Sequence, residues 1–419
     1  MTSFSAWDWD TGEKAVANIS EWKERFSSVR DLIPADDGER MAASVKTEDG
    51  RYTVYVNGEP WEETFERLSS LQFGRNNKLY ALGLRDFEWS VVIDQEMWEE
   101  KFDFLWNLTV NIDGSSVAAS FRTGEMTSGI CLNGARWEKA FPDARDLVIS
   151  PDGKRTASHV QTVRLNAFDN DGFMKKVWTV AVDGEPWGTN FVSLWGAVFS
   201  DDGKHVAVTV RTGMAQYTIA VDGVAWEAAF GAAWEPIFKP GSGDVFAPVQ
   251  TPKGWMMAMN GKPIWRGFSQ VWKQVFSPDG GKLAAVVANG LGNWTVAVDG
   301  TPWSTSFSQM VLSPVFSPDG RRIAAAVKSN GSWTIAVDGA PWAGAYDNVW
   351  DPVFSAGGDH VAAVAEKNGK YFLAVDGRDG KKAYEWVWKP VFDPAGRKIL
   401  VRALEGGQYR RIVVPVDAV

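Results

Sequence analysis

Short apolar runs separated by polar turns fill the chain, and no stretch carries the three-to-four-residue period of an amphipathic helix. The segment VFSPDGGKLAAVVANGLGNWTVAVDGTPWSTSF, from Val275, is repeated almost in full as VFSPDGRRIAAAVKSNGSWTIAVDGAPWAGAY, from Val315. Such self-similarity settles architecture before any single residue does. The Gly of the V-D-G turn, or the residue in its slot, falls at Gly58, Gln95, Gly134, Gly184, Gly223, Gly261, Gly300, Gly339 and Gly377. The steps are 37, 39, 50, 39, 38, 39, 39 and 38 residues. An insertion around Val163–Lys176 explains the one long step.

Each unit predicts four short strands. The first is the V-F-S piece, such as Val353-Phe354-Ser355, and the S-P-D-G after it suits a type I turn, with Pro second and Gly fourth. The second is apolar and rich in small residues, as at Ile323–Val327. A polar turn (Ser329-Asn330-Gly331) leads to the third, Trp333–Val337. Asp338-Gly339 then signals a type I′ hairpin, which needs positive φ at both positions, and a fourth strand follows from Pro341 to Val349.

Four antiparallel strands per repeat of about 39 residues predict an all-β fold, a β-propeller of about ten blades. The last unit stops after three strands, and Trp22–Val29 has the Trp-x3-Phe spacing of a fourth strand. Residues 1–30 are therefore expected to complete the last blade and close the ring, with residues 31–419 forming one continuous repeat array. Two five-bladed rings dividing near 225–235 also fit the count, but no linker interrupts the period, which favours one continuous array.

Composition narrows the function. One Cys (Cys131) and three His leave no material for a disulfide framework, a Cys-based zinc site, an iron–sulfur cluster or a His-rich metal centre, and no cofactor is expected. A net charge of -9 argues against a nucleic-acid partner. The start lacks a basic and then apolar leader, and no apolar run approaches 18 residues, so a cytoplasmic chain without a transmembrane segment is expected. Residues 1–148 hold 27 Asp and Glu against 16 Lys and Arg, the remainder 25 against 27. That asymmetry reads either as a solvated surface that drifts between repeats or as a docking face for a basic partner.

Twenty of the 23 Trp fall into three slots of the repeat. The fourth-strand slot holds Trp22, Trp61, Trp98, Trp137, Trp187, Trp226, Trp265, Trp303 and Trp342. The slot opening the third strand holds Trp89, Trp178, Trp255, Trp294 and Trp333, with Tyr52, Tyr217 and Tyr371 in their place elsewhere. Rings that recur at one blade position are packing against the next blade. The third slot, Trp106, Trp195, Trp234, Trp272, Trp350 and Trp388, is expected where the fourth strand loops back to the next first strand. Propeller loops bind, so these six are the candidate partner-binding aromatics, with packing as the competing reading.

A search for catalysis finds little. His205 and His360 share one slot in distant blades and His159 lies in a second strand, a placement that suits blade structure better than a metal site. Asp169-Asn170-Asp171-Gly172 holds a fragment of a calcium loop without its later ligands. There is no P-loop, no G-x-S-x-G elbow and no room for a hydrolase domain. The Asp of S-P-D-G is a repeated turn residue, hence a poor glycosidase acid. No catalytic residue is assigned and the chain is not expected to be an enzyme.

The S-P-D-G-[KR] turn followed by an apolar strand resembles the WD40-like (PD40) repeat of TolB-type propellers, over the chain from about Lys14. The V-D-G-x-P-W signature departs from the general pattern of those repeats. A tryptophan-rich chain of this style also resembles the cytoplasmic subunits of the transmembrane tetraheme cytochrome c (Tmc) complex. That resemblance implies a non-enzymatic, protein-binding scaffold, peripheral to the inner membrane through iron–sulfur or haem protein partners. The alternative is a carbohydrate-binding or carbohydrate-active propeller, since Trp faces stack on sugars.

Overall fold

The computed structural model describes residues 7–165 and 174–419. Ten antiparallel sheets follow one another along the chain and form a ten-bladed β-propeller. Blade 1 is typical: Ser28–Pro34, Met41–Lys46, Tyr52–Val56 and the two-residue strand Glu59–Pro60 pair in that order. A second contact prolongs the fourth strand, because Trp61 donates its N–H to Val54 and Phe65 exchanges both backbone bonds with Tyr52. First strands of neighbouring blades approach one another, as Asp143–Ile149 and Ser193–Phe199 do, so they stand innermost.

Turn chemistry explains the repeat. In all ten first turns the fourth residue donates its N–H to the carbonyl of the first, as Gly320 does to Ser317 at 2.9 Å. The Ser317 hydroxyl donates to Asp319 Oδ1 at 2.6 Å and accepts from the Arg322 N–H, which locks the turn. The same Ser contact holds the Asp202 carboxyl down at about 2, so this repeated acid is a fixed acceptor. The third-to-fourth turns have positive φ at both positions, 51° and 85° at Asp338 and Gly339, as a type I′ turn requires. Both turn types lie on one face of the ring, which we call the lower face. The second-to-third turns and the crossovers between blades lie on the upper face.

Ten buried apolar clusters hold the ring, each shared by two consecutive blades. Ala324 and Ile335 of blade 8 meet Val361 and Ala374 of blade 9, for example. Blades 5 and 6 share one such cluster through Ala207, Ile219 and Ala247. Blades 10 and 1 share another through Tyr409, Met41 and Tyr55. The ring is therefore single. Seven of the fourth-strand slot's Trp rings, Trp98, Trp137, Trp187, Trp226, Trp265, Trp303 and Trp342, lock the blades sideways, each lying against the turn glycine of the next blade. A Cβ on Gly339 would come within 3.1 Å of Trp303 Cγ, at a φ that already disfavours any side chain. Gly339→Ala should cost about 1–3 kcal/mol, read as a lower urea midpoint with an unchanged slope.

Closure differs from the sequence expectation. The strand completing blade 10 is Gly12–Asn18, which pairs with Gln408–Pro415 from Gly12↔Val413 to Asn18↔Gln408. Trp22 instead lies in a short helix, Ile19–Arg25, whose N-cap Asn18 accepts from the Glu21 N–H. Ser28 and Val29 belong to blade 1. A spacing of four puts two side chains on one side of either a strand or a helix, and here Phe26 donates its N–H to Trp22 as one helical turn. Trp22 is still a packing residue, buried edge-on against Tyr55.

Candidate functional site

The six third-slot tryptophans stand inside the innermost strands, at or beside a break in the ladder, and not on the blade-to-blade loops. Six inner strands carry a bulge there, with positive φ at Asp31, Ser70, Asn107, Asp146, Gly196 and Lys273. In the other four the strand splits in two at Pro236, Pro314, Pro352 and Pro390, because proline cannot donate to the ladder. Either device turns the strand at the residue after the slot, near the upper face.

Five of the six pair with the ring opening or near the start of their own blade's third strand. Trp272 stacks on Trp294 with centroids 4.8 Å apart, and Trp234 on Trp255 at 5.6 Å and 9°. Trp195 meets Tyr217, Trp350 meets Tyr371 and Trp388 meets Tyr409 at similar separations. Trp106 stacks on Phe104 instead. These are aromatic ladders across the upper end of each blade, mostly half-buried, with Trp234 exposed. Packing and presentation thus coexist in one slot.

Where the slot lacks Trp, other residues take over. In blade 4 the Arg145 guanidinium lies 5.0 Å over the Trp178 ring. In blades 1 and 2 the slot holds Arg30 and Ser69, and a cleft of about 630 Å³ opens over the inner strands of blades 1–3. Tyr52, Trp89, Phe104 and Trp106 supply its aromatic walls; Arg30, Arg67, Asp31, Ser44 and Ser70 supply its polar groups. The cleft went unremarked in the sequence, although the gap in the Trp register at Arg30 and Ser69 was there to mark it.

On the same upper face the second-to-third turns of blades 2, 3, 4, 5 and 7 carry apolar tips. Phe87, Met126, Val163, Met214 and Leu291 are all exposed, Phe87 at 87% and Leu291 at 105%. Phe87 and Met126 also hold φ of 64° and 61°, a conformation that bulky side chains seldom adopt. Phe87 stands between Asp86 and Glu88, and Met126 follows Glu125, so the tips within the acidic part of the chain are ringed by carboxylates.

The remaining candidates resolve into structure. His205 Nδ1 lies 2.6 Å from Asp222 and His360 Nδ1 2.7 Å from Asp376, each pairing with the V-D-G acid of its own blade. Arg155 and Arg322 pair with Asp183 and Asp338 in the same way. His159 is buried with Nδ1 2.9 Å from Asp146 Oδ2, and that hydrogen bond lowers the Asp146 pKa. Burial pushes the Cys131 thiol up to about 12, which leaves it unreactive. Asp169-Asn170-Asp171-Gly172 lies outside the described residues. No group of three His, Cys, Asp or Glu that could hold a metal ion occurs among the described residues, and no helix there is long and apolar enough to cross a membrane.

No protein-family model matches the chain, and no curated protein matches it. Among solved structures it is similar to a eukaryotic initiation factor, at 12% identity over 78% of this chain and 90% of that one, with a TM-score of 0.47. It is similar to the β-propeller domain of the Trilobed protease from Pyrococcus furiosus at 12% identity, over 68% and 96% of the two chains, with a TM-score of 0.32. It is also similar to a prolyl endopeptidase at 12% identity, over 80% of this chain but 54% of that one, with a TM-score of 0.37. These likenesses concern the fold alone.

Proposed function

We propose that the protein is a non-enzymatic scaffold that docks other polypeptides on its upper face. The observation that carries this reading is the set of exposed apolar tips, Phe87, Met126, Val163, Met214 and Leu291, all on second-to-third turns and therefore on one face. Scattered exposed apolar residues, such as Ile112 and Val224 on the lower face, are ordinary; five on one type of turn concentrate apolar surface on the upper face. The carboxylates beside Phe87 and Met126, within a segment of 27 acids against 16 bases, favour a partner with a basic rim. The PD40-like repeat and the tryptophan-rich composition add the narrower part of the proposal: a peripheral, cytoplasmic subunit of a membrane-associated electron-transfer complex of the Tmc kind. With one buried Cys and three His, this chain would position redox partners and carry no electrons itself.

Purification from the native cell at low and high salt tests the proposal. The natural chain should bring down membrane-associated partners with haem or iron–sulfur absorbance, and salt should weaken the association. A variant combining Phe87→Ser, Met214→Ser and Leu291→Ser should keep its melting temperature and lose those partners. A chain that purifies alone, or a triple variant that retains its partners, overturns the docking face. Partners without redox absorbance overturn only the narrower assignment.

A further inference from the structure

The cleft over blades 1–3 combines two features that make it receptive to a ligand. Its charged side chains are unpaired. Arg67 makes no side-chain hydrogen bond and no ion pair among the described residues, and Arg30 Nε donates only to Ser28 Oγ at 3.0 Å. Yet both sit in the most acidic part of the chain, where Arg85, Arg122 and Arg136 pair with Glu63, Asp143 and Glu100. Its aromatic wall is also incomplete. Ser69 leaves the upper end of blade 2 without the ring that stacks beside the third strand in blades 5, 6, 7, 9 and 10, and Phe104 lies 45% exposed between Trp89 and Trp106.

We infer that this cleft is a recognition site for a carboxylate borne by a partner polypeptide next to an aromatic or apolar side chain. Arg30 and Arg67, neither in an ion pair among the described residues, supply forked donors that match a carboxylate, whereas a neutral ligand gains no charge-assisted bond from either. The face of Phe104 and the open slot beside Trp89 receive the apolar neighbour. Ser44, Ser69 and Ser70 add hydroxyls, and Asp31 offers an acceptor for a donor on the same ligand. The floor favours a polypeptide over a sugar. It is made of sheet-edge strands whose bulges at Asp31, Ser70 and Asn107 interrupt the ladder and leave backbone groups for an extended segment. The carboxylate is either a C-terminus or an acidic side chain.

Ligand-observed NMR titration of the full chain tests this with four probes. They are N-acetylphenylalanine, its primary amide, N-acetylphenylalanyl-glutamic acid α-amide, and D-glucuronate. At least one peptide acid should bind saturably, with a dissociation constant on the order of 1 mM, and about tenfold more tightly than the uncharged amide. The tighter of the two acids tells a terminal carboxylate from a side-chain one. Arg67→Gln should remove the preference for acid over amide while leaving the melting temperature unchanged, since Arg67 is exposed. Arg30→Gln should weaken it in the same direction. Equal binding of acid and amide, indifference to Arg67→Gln, glucuronate binding above both peptides, or no saturable binding would each overturn the site. The tip variants above leave the cleft intact, so failure here and failure of the docking face are read separately.

Discussion

Removing residues 1–18 should lower the unfolding free energy by on the order of 5 kcal/mol and make the protein associate with itself. Gly12–Asn18 is the outermost strand of blade 10, in register with Gln408–Pro415, and each of its ladder bonds contributes about 1 kcal/mol net. The same strand is the only covalent link from the first blade into the last. Without it, Gln408–Pro415 becomes an unprotected edge carrying Ile412, Val413 and Val414, a template for another chain. Ile19 and Trp22 lose their anchorage as well, because the N–H groups of Ile19 and Ser20 both donate to the Gly407 carbonyl. The expected readings are a lower denaturant midpoint and a concentration-dependent rise in size on gel filtration. An unchanged midpoint would show that the ring does not depend on this strand for closure.

The repeat was legible because its turns are chemically specific. Ser, Asp and Gly at fixed offsets do one job each, so S-P-D-G and V-D-G name their turn types outright, and degenerate copies such as Gly74–Asn77 are recognisable by period. Even Gln95, standing where the others have Gly, is held at φ 84° by the turn around it. Closure was legible in outline and misplaced in detail. A Trp and a Phe four residues apart share a side in either kind of element, and only the capping by Asn18 and the bond from Phe26 to Trp22 decide for the helix.

The candidate surface was harder to see, for a physical reason. Slots in a repeat advertise what they contain, and the third Trp slot was conspicuous for its six rings. The structure places those rings within the inner strands, where stacking on Trp255 and Trp294 already occupies two of them. The cleft arises where the slot is filled by something else, Arg30 and Ser69, so its signal is a gap in a pattern. The exposed tips recur at one turn of the repeat, but the residue type there varies from Phe to Met, Val and Leu, so no motif marks them. Phe87 and Leu291 stand out only once the burial of every other large apolar residue is known.

Arg402→Leu should be the most damaging single substitution, costing about 3 kcal/mol or more. Every seam between blades is crossed by the chain, but at the seam between blades 10 and 1 the crossing is the N-terminal strand and the short helix Ile19–Arg25, and side chains reinforce it. Two buried arginines span it. Arg402 donates to the Ala35 carbonyl at 3.0 Å and the Lys389 carbonyl at 2.8 Å, and lies 3.4 Å from Asp36. Arg411 donates to the Asp37 carbonyl at 2.8 Å and to Glu39 at 2.9 Å, and also reaches the Asp8 carbonyl. Both arginine side chains are over nine-tenths buried, so removing either guanidinium leaves backbone carbonyls, the buried Ala35 carbonyl above all, without their donor, while Asp36 and Glu39 stay open to solvent. Arg322 provides the comparison. It makes the same kind of contact at an ordinary seam, donating to the Gly358 and Asp359 carbonyls at 3.1 Å, but with its side chain 37% exposed. Arg322→Leu should therefore cost about 1 kcal/mol or less, because solvent screens and replaces what is lost. Urea unfolding of the two variants side by side decides the matter. Equal losses would mean that the last seam has no special weight, whereas a gap of about 2 kcal/mol would assign ring closure jointly to the terminal strand and this arginine pair.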